Sequence, residues 1–255
     1  MSRIASQSGR YSLLLVAVIV TTASLPGCKE LDLDTAWTAG PIKIDGVSTE
    51  WADLETTYFD EDRLLIGLSN DGENLYLLIR FGDPAWIQTM RMGSLTVWLD
   101  KDGKKRTEFG IRYFGGPEPG RIADRTPSGE TRITPTRLTV IAGDPDGEIS
   151  IPTDGSKGPA AAFRITSAIY TCEMSIPFLD GSDAKYGIDV EPGHSVMIGL
   201  NLKVDREQLL QGMQRGAPGM GRGGGGMMGG MPRGRPGMAQ EHKIWINTVL
   251  AVPPR

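Results

Sequence analysis

An all-β, antiparallel β-sandwich of jelly-roll-like character is the fold class the sequence predicts, and three observations predict it. Short runs alternate apolar and polar side chains, the two-residue period of a strand with one buried face. Asn70-Asp71-Gly72 and Asp102-Gly103 stand between such runs at the spacing of hairpin turns. No stretch of the body keeps a long helical period, so sheet-on-sheet packing is the layer architecture left.

The elements follow in chain order. Ile42 to Trp51 is a strand-like phrase with a turn at Asp45-Gly46. Leu64 to Leu68 and Asn74 to Phe81 flank the Asp-Gly turn and form one hairpin. Leu95 to Asp100 and Glu108 to Phe114 form a second around Lys101-Asp102-Gly103-Lys104. Arg137 to Ala142, Ala162 to Ala168 and Tyr170 to Ile176 add strands, and Ser195 to Val204 and His242 to Val252 complete about ten. Short helical turns are expected at Pro177 to Leu179 or Arg206 to Leu210. In Tyr170 to Ile176 the alternation sets Cys172 beside Tyr170, Met174 and Ile176, which makes it a small buried hydrophobe rather than a nucleophile. Glu173 faces away from that core side and reads as structural.

Residues 1–27 are of another kind. Arg3 and Arg10 precede the apolar run Ser12 to Val20, which leads to Leu25-Pro26-Gly27-Cys28, a charged head with a core too short to span a bilayer as a helix. The ending resembles the lipobox of bacterial lipoprotein precursors, in which the chain is cut before the cysteine and the thiol is acylated. That resemblance implies a lipidated Cys28, and Lys29 in place of an aspartate implies the outer membrane of the cell envelope. An ordinary signal peptide with an unrelated cysteine is the alternative. Residues 28–40, Trp37 included, read as a polar linker, and 41–252 as the sandwich.

Charge narrows the partners. Removal of residues 1–27 takes away two arginines and no acid, leaving 25 basic residues against 31 acidic ones and a charge of −6. That balance speaks against nucleic acid. Residues 212–239 break the pattern. Glycine, methionine, arginine and proline dominate there, with no apolar period to offset the ordering entropy, so the sequence predicts a disordered loop between the last two strands. Its arginines suit anionic headgroups near a membrane anchor.

Several phrases together carry a family resemblance: Ile44-Asp45-Gly46 with Glu50-Trp51; Asn74-Leu75-Tyr76-Leu77 running to Asp83-Pro84; Tyr170 through Glu173 to Ile176-Pro177; Ile198-Gly199-Leu200-Asn201 with Val204-Asp205. In that order, over about Pro41 to Asp205, the chain resembles the family 9 carbohydrate-binding modules and their DOMON-like relatives. The resemblance implies a sandwich that holds a sugar between aromatic rings, often with bound calcium. The chain departs from the family in its loops. Trp86 to Ser94 is shorter than the loop that delivers one stacking tryptophan, Thr96 replaces an acid, and the Gly/Met segment stands where the second tryptophan loop would be.

The residues themselves suggest where a sugar would lie. Alternation puts Leu75, Leu77, Ile79 and Phe81, then Leu95, Val97 and Leu99, then Ile198, Leu200, Leu202 and Val204 in the core. Opposite them stand Tyr76 and Arg80, Thr96 and Trp98, Asn201 and Lys203, with Arg112, Trp245 and Asn247 on neighbouring strands. If those strands adjoin, Trp98, Trp245, Arg80, Arg112 and Asn201 form one face on which sugar rings stack and hydroxyls find hydrogen bonds. Trp86, past Asp83-Pro84, is placed in a loop from which it reaches the binding mouth. A second reading has these indoles covered by a loop and the arginines merely solvated. Trp51 reads as a structural plug.

No catalytic set emerges: no nucleophile stands with a histidine, and no glycine loop cradles a phosphate, so the chain reads as a binder rather than an enzyme. Asp100 to Lys104 begins like a calcium loop, but Lys104 occupies a position that needs an oxygen ligand, so it is a hairpin turn. Asp144-Pro145-Asp146-Gly147-Glu148 is a further calcium candidate. His242 with a loop methionine is a haem candidate, and Met228 with Met231 a copper one. The leading expectation is a glycan- or polysaccharide-binding lipoprotein. The alternatives are an assembly lipoprotein docking an envelope protein partner, and haem or copper binding.

Overall fold

The computed structural model describes residues 29–114, 124–125, 131–132, 137–142, 147–178, 186–204 and 241–254. Cys28, residues 1–27, the 212–239 segment, Asp144 to Asp146 and Arg206 to Leu210 lie outside the described residues. Fifteen strands and one helix follow in order among the described residues: β1 (Lys29–Asp32), β2 (Ala36–Trp37), β3 (Thr56–Phe59), β4 (Leu64–Asn70), β5 (Asn74–Phe81), α1 (Pro84–Met92), β6 (Gly93–Asp100), β7 (Phe109–Phe114), β8 (Asp124–Arg125), β9 (Thr131–Arg132), β10 (Arg137–Ala142), β11 (Glu148–Pro152), β12 (Ala160–Thr166), β13 (Ile169–Pro177), β14 (Ser195–Val204) and β15 (His242–Val249).

The strands form two sheets. Sheet A runs β1-β15-β14-β6-β7-β10-β11; sheet B runs β2-β4-β5-β13-β12-β9-β8, with β3 also paired to β4. Pairing is antiparallel except for β1 on β15 and β2 on β4. The inner faces supply one apolar core. Leu75, Leu77, Ile79 and Phe81 of sheet B meet Leu95, Val97, Ile198, Leu200 and Leu202 of sheet A, all buried. Phe81 stacks on Tyr170 within sheet B at 5.0 Å between centroids, and Tyr113 of sheet A stacks on Phe163 of sheet B at 3.4 Å, which ties the inner faces together. Cys172 lies in this core beside Tyr170, Met174 and Ile176, where burial pushes its thiol up.

The predicted hairpins are present. Asn70 pairs with Leu75 across the turn, where the Asp71 carboxylate accepts from the backbone N–H of Glu73 and Asn74, both at 2.7 Å. The β6–β7 connection is likewise a turn organised by one acid. Asp100 accepts from the backbone N–H of Asp102, Lys104 and Arg106 at 2.7–3.0 Å. Burial raises its pKa, but these donors and Arg106 outweigh that and hold it below the ordinary value.

Three expectations are corrected. The linker placed at 28–40 is part of the fold: β1 extends one edge of sheet A, β2 lies on sheet B, and Leu31 and Leu33 pack against the core. The run Glu30-Leu31-Asp32-Leu33-Asp34 is itself a period-two pattern, too short to stand out beside the polar residues around it. The stretch after Asp83 is a helix rather than a loop. Asp83 caps it by accepting from Ala85 and Trp86 N–H, Pro84 occupies its first turn, and Trp86 and Met90, four apart, face the core. Pro177 ends β13 and Phe178 follows it as a bend, not a helical turn; Leu179 lies outside the described residues.

Candidate functional site

The register of sheet A builds its outer face. Side chains directly opposite across neighbouring strands share a face, so one row runs Glu30, Trp245, Gly199, Trp98, Gly110, Ile141, Glu148 from β1 to β11. Each tryptophan is followed across the sheet by a glycine, and each indole lies over it. A Cβ at Gly199 would stand 2.6 Å from the Trp245 ring, and one at Gly110 would stand 2.5 Å from the Trp98 ring. The glycines are therefore the space into which the rings lie down, and the result is a low aromatic strip. The next row is polar: Lys243, Asn201, Thr96, Arg112, Thr139, Ser150.

Along this face the two indoles differ. Trp245 is 1% exposed, with the Lys243 ammonium 5.2 Å from its ring centroid, so it is floor rather than contact surface. Trp98 is half-buried, and its Nε1–H has no acceptor among the described residues. Asn201 is half-buried too. Its Nδ2 donates to Glu241 at 2.9 Å, which fixes the amide orientation, and its Oδ1 is left shielded with no donor among the described residues. Arg112 stands opposite Thr96 and is held by Glu148 at 2.9 Å. One unsatisfied donor and one unsatisfied acceptor among the described residues thus stand diagonally on adjacent strands, beside a guanidinium and a half-buried indole.

Two residues expected on this face are elsewhere. Arg80 is on β5 of sheet B, opposite Leu65 and Thr171, and points outward from that sheet, on the far side of the sandwich from Trp98. Alternation separates inner from outer but not one sheet from the other. Trp86 does not reach a mouth: helix α1 carries it into the core, 5% exposed, tilted against Phe81 at 5.7 Å and His242 at 4.7 Å. His242 is half-buried there, and burial lowers its pKa. Among the described residues no group of three or more His, Cys, Asp or Glu side chains converges to hold a metal ion.

The outer face of sheet B is mostly covered by the chain itself. Ile42, Ile44, Trp51 and Leu54 pack on Tyr76, Leu78 and Leu65. Glu173, on the same face, is fully buried and fastens this cover: it accepts from the backbone N–H of Asp45 (3.1 Å) and Gly46 (2.7 Å), and from Trp51 Nε1 (3.1 Å). Burial nevertheless dominates and pushes its pKa up to about 7. A shallow cleft of about 510 Å³ lies at one end of the sandwich, lined by Lys101, Asp102, Asp189, Glu191 and His194, with Lys101 and Asp189 paired at 2.5 Å.

No family model matches this chain, and no curated protein matches it. Solved structures do. A carbohydrate-binding module of family 9 from Caldicellulosiruptor kristjanssonii in complex with cellotriose is 14% identical, with 71% of this chain and 80% of that chain covered and a TM-score of 0.38. The family 9 module from the same organism in complex with glucose is 14% identical, with 69% and 81% covered and a TM-score of 0.36.

Proposed function

We propose that this protein is a non-catalytic glycan-binding module of the bacterial cell envelope, with the sugar on the outer face of sheet A against Trp98, Asn201, Arg112 and Thr96. The observation that carries the reading is the unsatisfied pair, Trp98 Nε1–H and Asn201 Oδ1. Leaving either group shielded and unpaired costs about 1–3 kcal/mol. A sugar hydroxyl both accepts and donates and so can pair with either group, and the ring beside them suits the C–H face of a sugar. Trp245 serves as floor, so Trp98 is the residue to remove. On a glycan array, the chain from Lys29 onward gives selective signal that Trp98→Ala abolishes while the fold persists. A folded protein with a blank array, or equal signal from Trp98→Ala, removes the site.

The anchor belongs to the same reading. With Cys28 acylated, the lipid joins the chain one residue before β1, so the edge of sheet A is held at the bilayer with no spacer. Mass spectrometry of the mature amino terminus detects a lipid-modified Cys28; an unmodified terminus sinks the anchor.

A further inference from the structure

We propose that the outer face of sheet B carries a second binding site, for a chain of acidic sugars, built from Arg63, Arg80, Arg164, Thr171 and Tyr58. It does not rest on the Trp98 reading, since it occupies the opposite side of the sandwich. The register sets one row across four adjoining contacts: Tyr58 opposite Leu65, Leu65 opposite Arg80, Arg80 opposite Thr171, Thr171 opposite Arg164. Arg80 and Arg164 therefore flank one threonine, two strand spacings or about 10 Å apart. Arg63 joins them from the start of β4, its guanidinium 3.7 Å from where a Cβ on Gly82 would stand.

Three cations on one face of a net-acidic chain would ordinarily be matched by carboxylates. Among the described residues none of the three has an ion-pair partner. Arg80 Nε is shielded and has no acceptor. Two nearby acids are engaged elsewhere: Asp45, close enough to feel Arg164, is bound by Lys43 at 2.9 Å, and Glu173 is buried under its three donors. An N–H with no acceptor in a low-dielectric position favours an incoming anionic oxygen, and the guanidinium fork matches carboxylates in geometry.

The same face carries two of the few exposed large apolar side chains among the described residues, Tyr58 at 54% and Ile169 at 37%. Tyr58 ends the arginine row, where a ring supplies stacking for a sugar face. The row also lies at the foot of a step. The covering segment packs on Tyr76, Leu78 and Leu65 and at Gly46 closes on the stem of Arg164, with Arg80 and the buried Thr171 between these two covered positions. Two cations about 10 Å apart in one row, with Arg63 nearby, fit an extended polymer with repeated carboxylates. A flat bilayer would meet the raised groups and miss the Arg80 Nε.

The test uses the full chain in mild detergent, titrated calorimetrically with oligogalacturonate. Binding that weakens with added salt is expected. Arg80→Gln with Arg164→Gln weakens it at least tenfold, Arg80→Lys recovers it only in part, and Trp98→Ala leaves it unchanged. No binding by the folded protein overturns the proposal, as does equal binding by the double variant. Loss in Trp98→Ala alone would also overturn it, by moving the ligand to sheet A. Arginine-dependent association with phosphatidylglycerol mixed micelles in place of oligogalacturonate would replace it with a membrane contact.

Discussion

The two outer faces use one device to different ends. Trp51, Trp98 and Trp245 each lie over a glycine, Gly67, Gly110 and Gly199, and a Cβ at any of these would stand 2.5–2.8 Å from the ring. On sheet B the indole of Trp51 comes from the covering segment and its Nε1–H is bound by Glu173, so the device closes the face. On sheet A the indoles come from the strands themselves, and Trp98 Nε1–H has no acceptor among the described residues, which is the opening the proposed glycan site uses. A tryptophan over a glycine is a way of laying a ring flat. Whether it becomes a plug or a platform depends on what the ring nitrogen meets.

The closed face breaks hardest. Glu173→Ala strands three donors, two of them backbone, and is expected to destabilise the fold by about 4 kcal/mol in denaturant titration. A loss under about 1 kcal/mol would show that the cover is held by Trp51 and Ile42 packing alone.

Acidity acts on the same point. Glu173 has its pKa raised from 4.5 to about 7, so the folded state holds a proton that the unfolded state has released in that interval. Its contribution is complete below pH 4.5 and is lost as pH rises through about 7, amounting to about 3 kcal/mol. Unfolding midpoints should therefore fall between pH 5 and pH 8, and Glu173→Gln should flatten that slope. An unchanged slope in the variant would place the titrating group elsewhere.

Smaller effects sharpen the contrast. Gly67→Ala and Gly110→Ala both force a ring to move and should cost about 2 kcal/mol each. Only Gly110→Ala should also weaken glycan binding, because it lifts Trp98. Equal binding losses from both would mean that the two faces are not independent.

Much of this was legible in the sequence. Period-two alternation placed Leu75, Val97 and Leu200 inward and Trp98, Asn201 and Arg80 outward, as the structure has them. What alternation cannot carry is sheet membership: Arg80 and Trp98 look alike in pattern and end on opposite sides, because pairing partners are set by contacts far apart in the chain. The glycines under the indoles are visible only once the register pairs Trp98 with Gly110 and Trp245 with Gly199. Helix α1 did leave a signal, Asp83-Pro84 followed by Trp86 and Met90 four apart, but nine residues give a weak helical period beside strong strands.

The most direct test of the open platform is calorimetry of the strongest glycan-array ligand with wild-type protein, Trp98→Phe and Trp98→Ala. About tenfold weaker binding is expected for Trp98→Phe, which keeps a ring but loses the N–H, and loss of measurable binding for Trp98→Ala. Wild-type affinity in a folded Trp98→Ala protein would contradict this expectation.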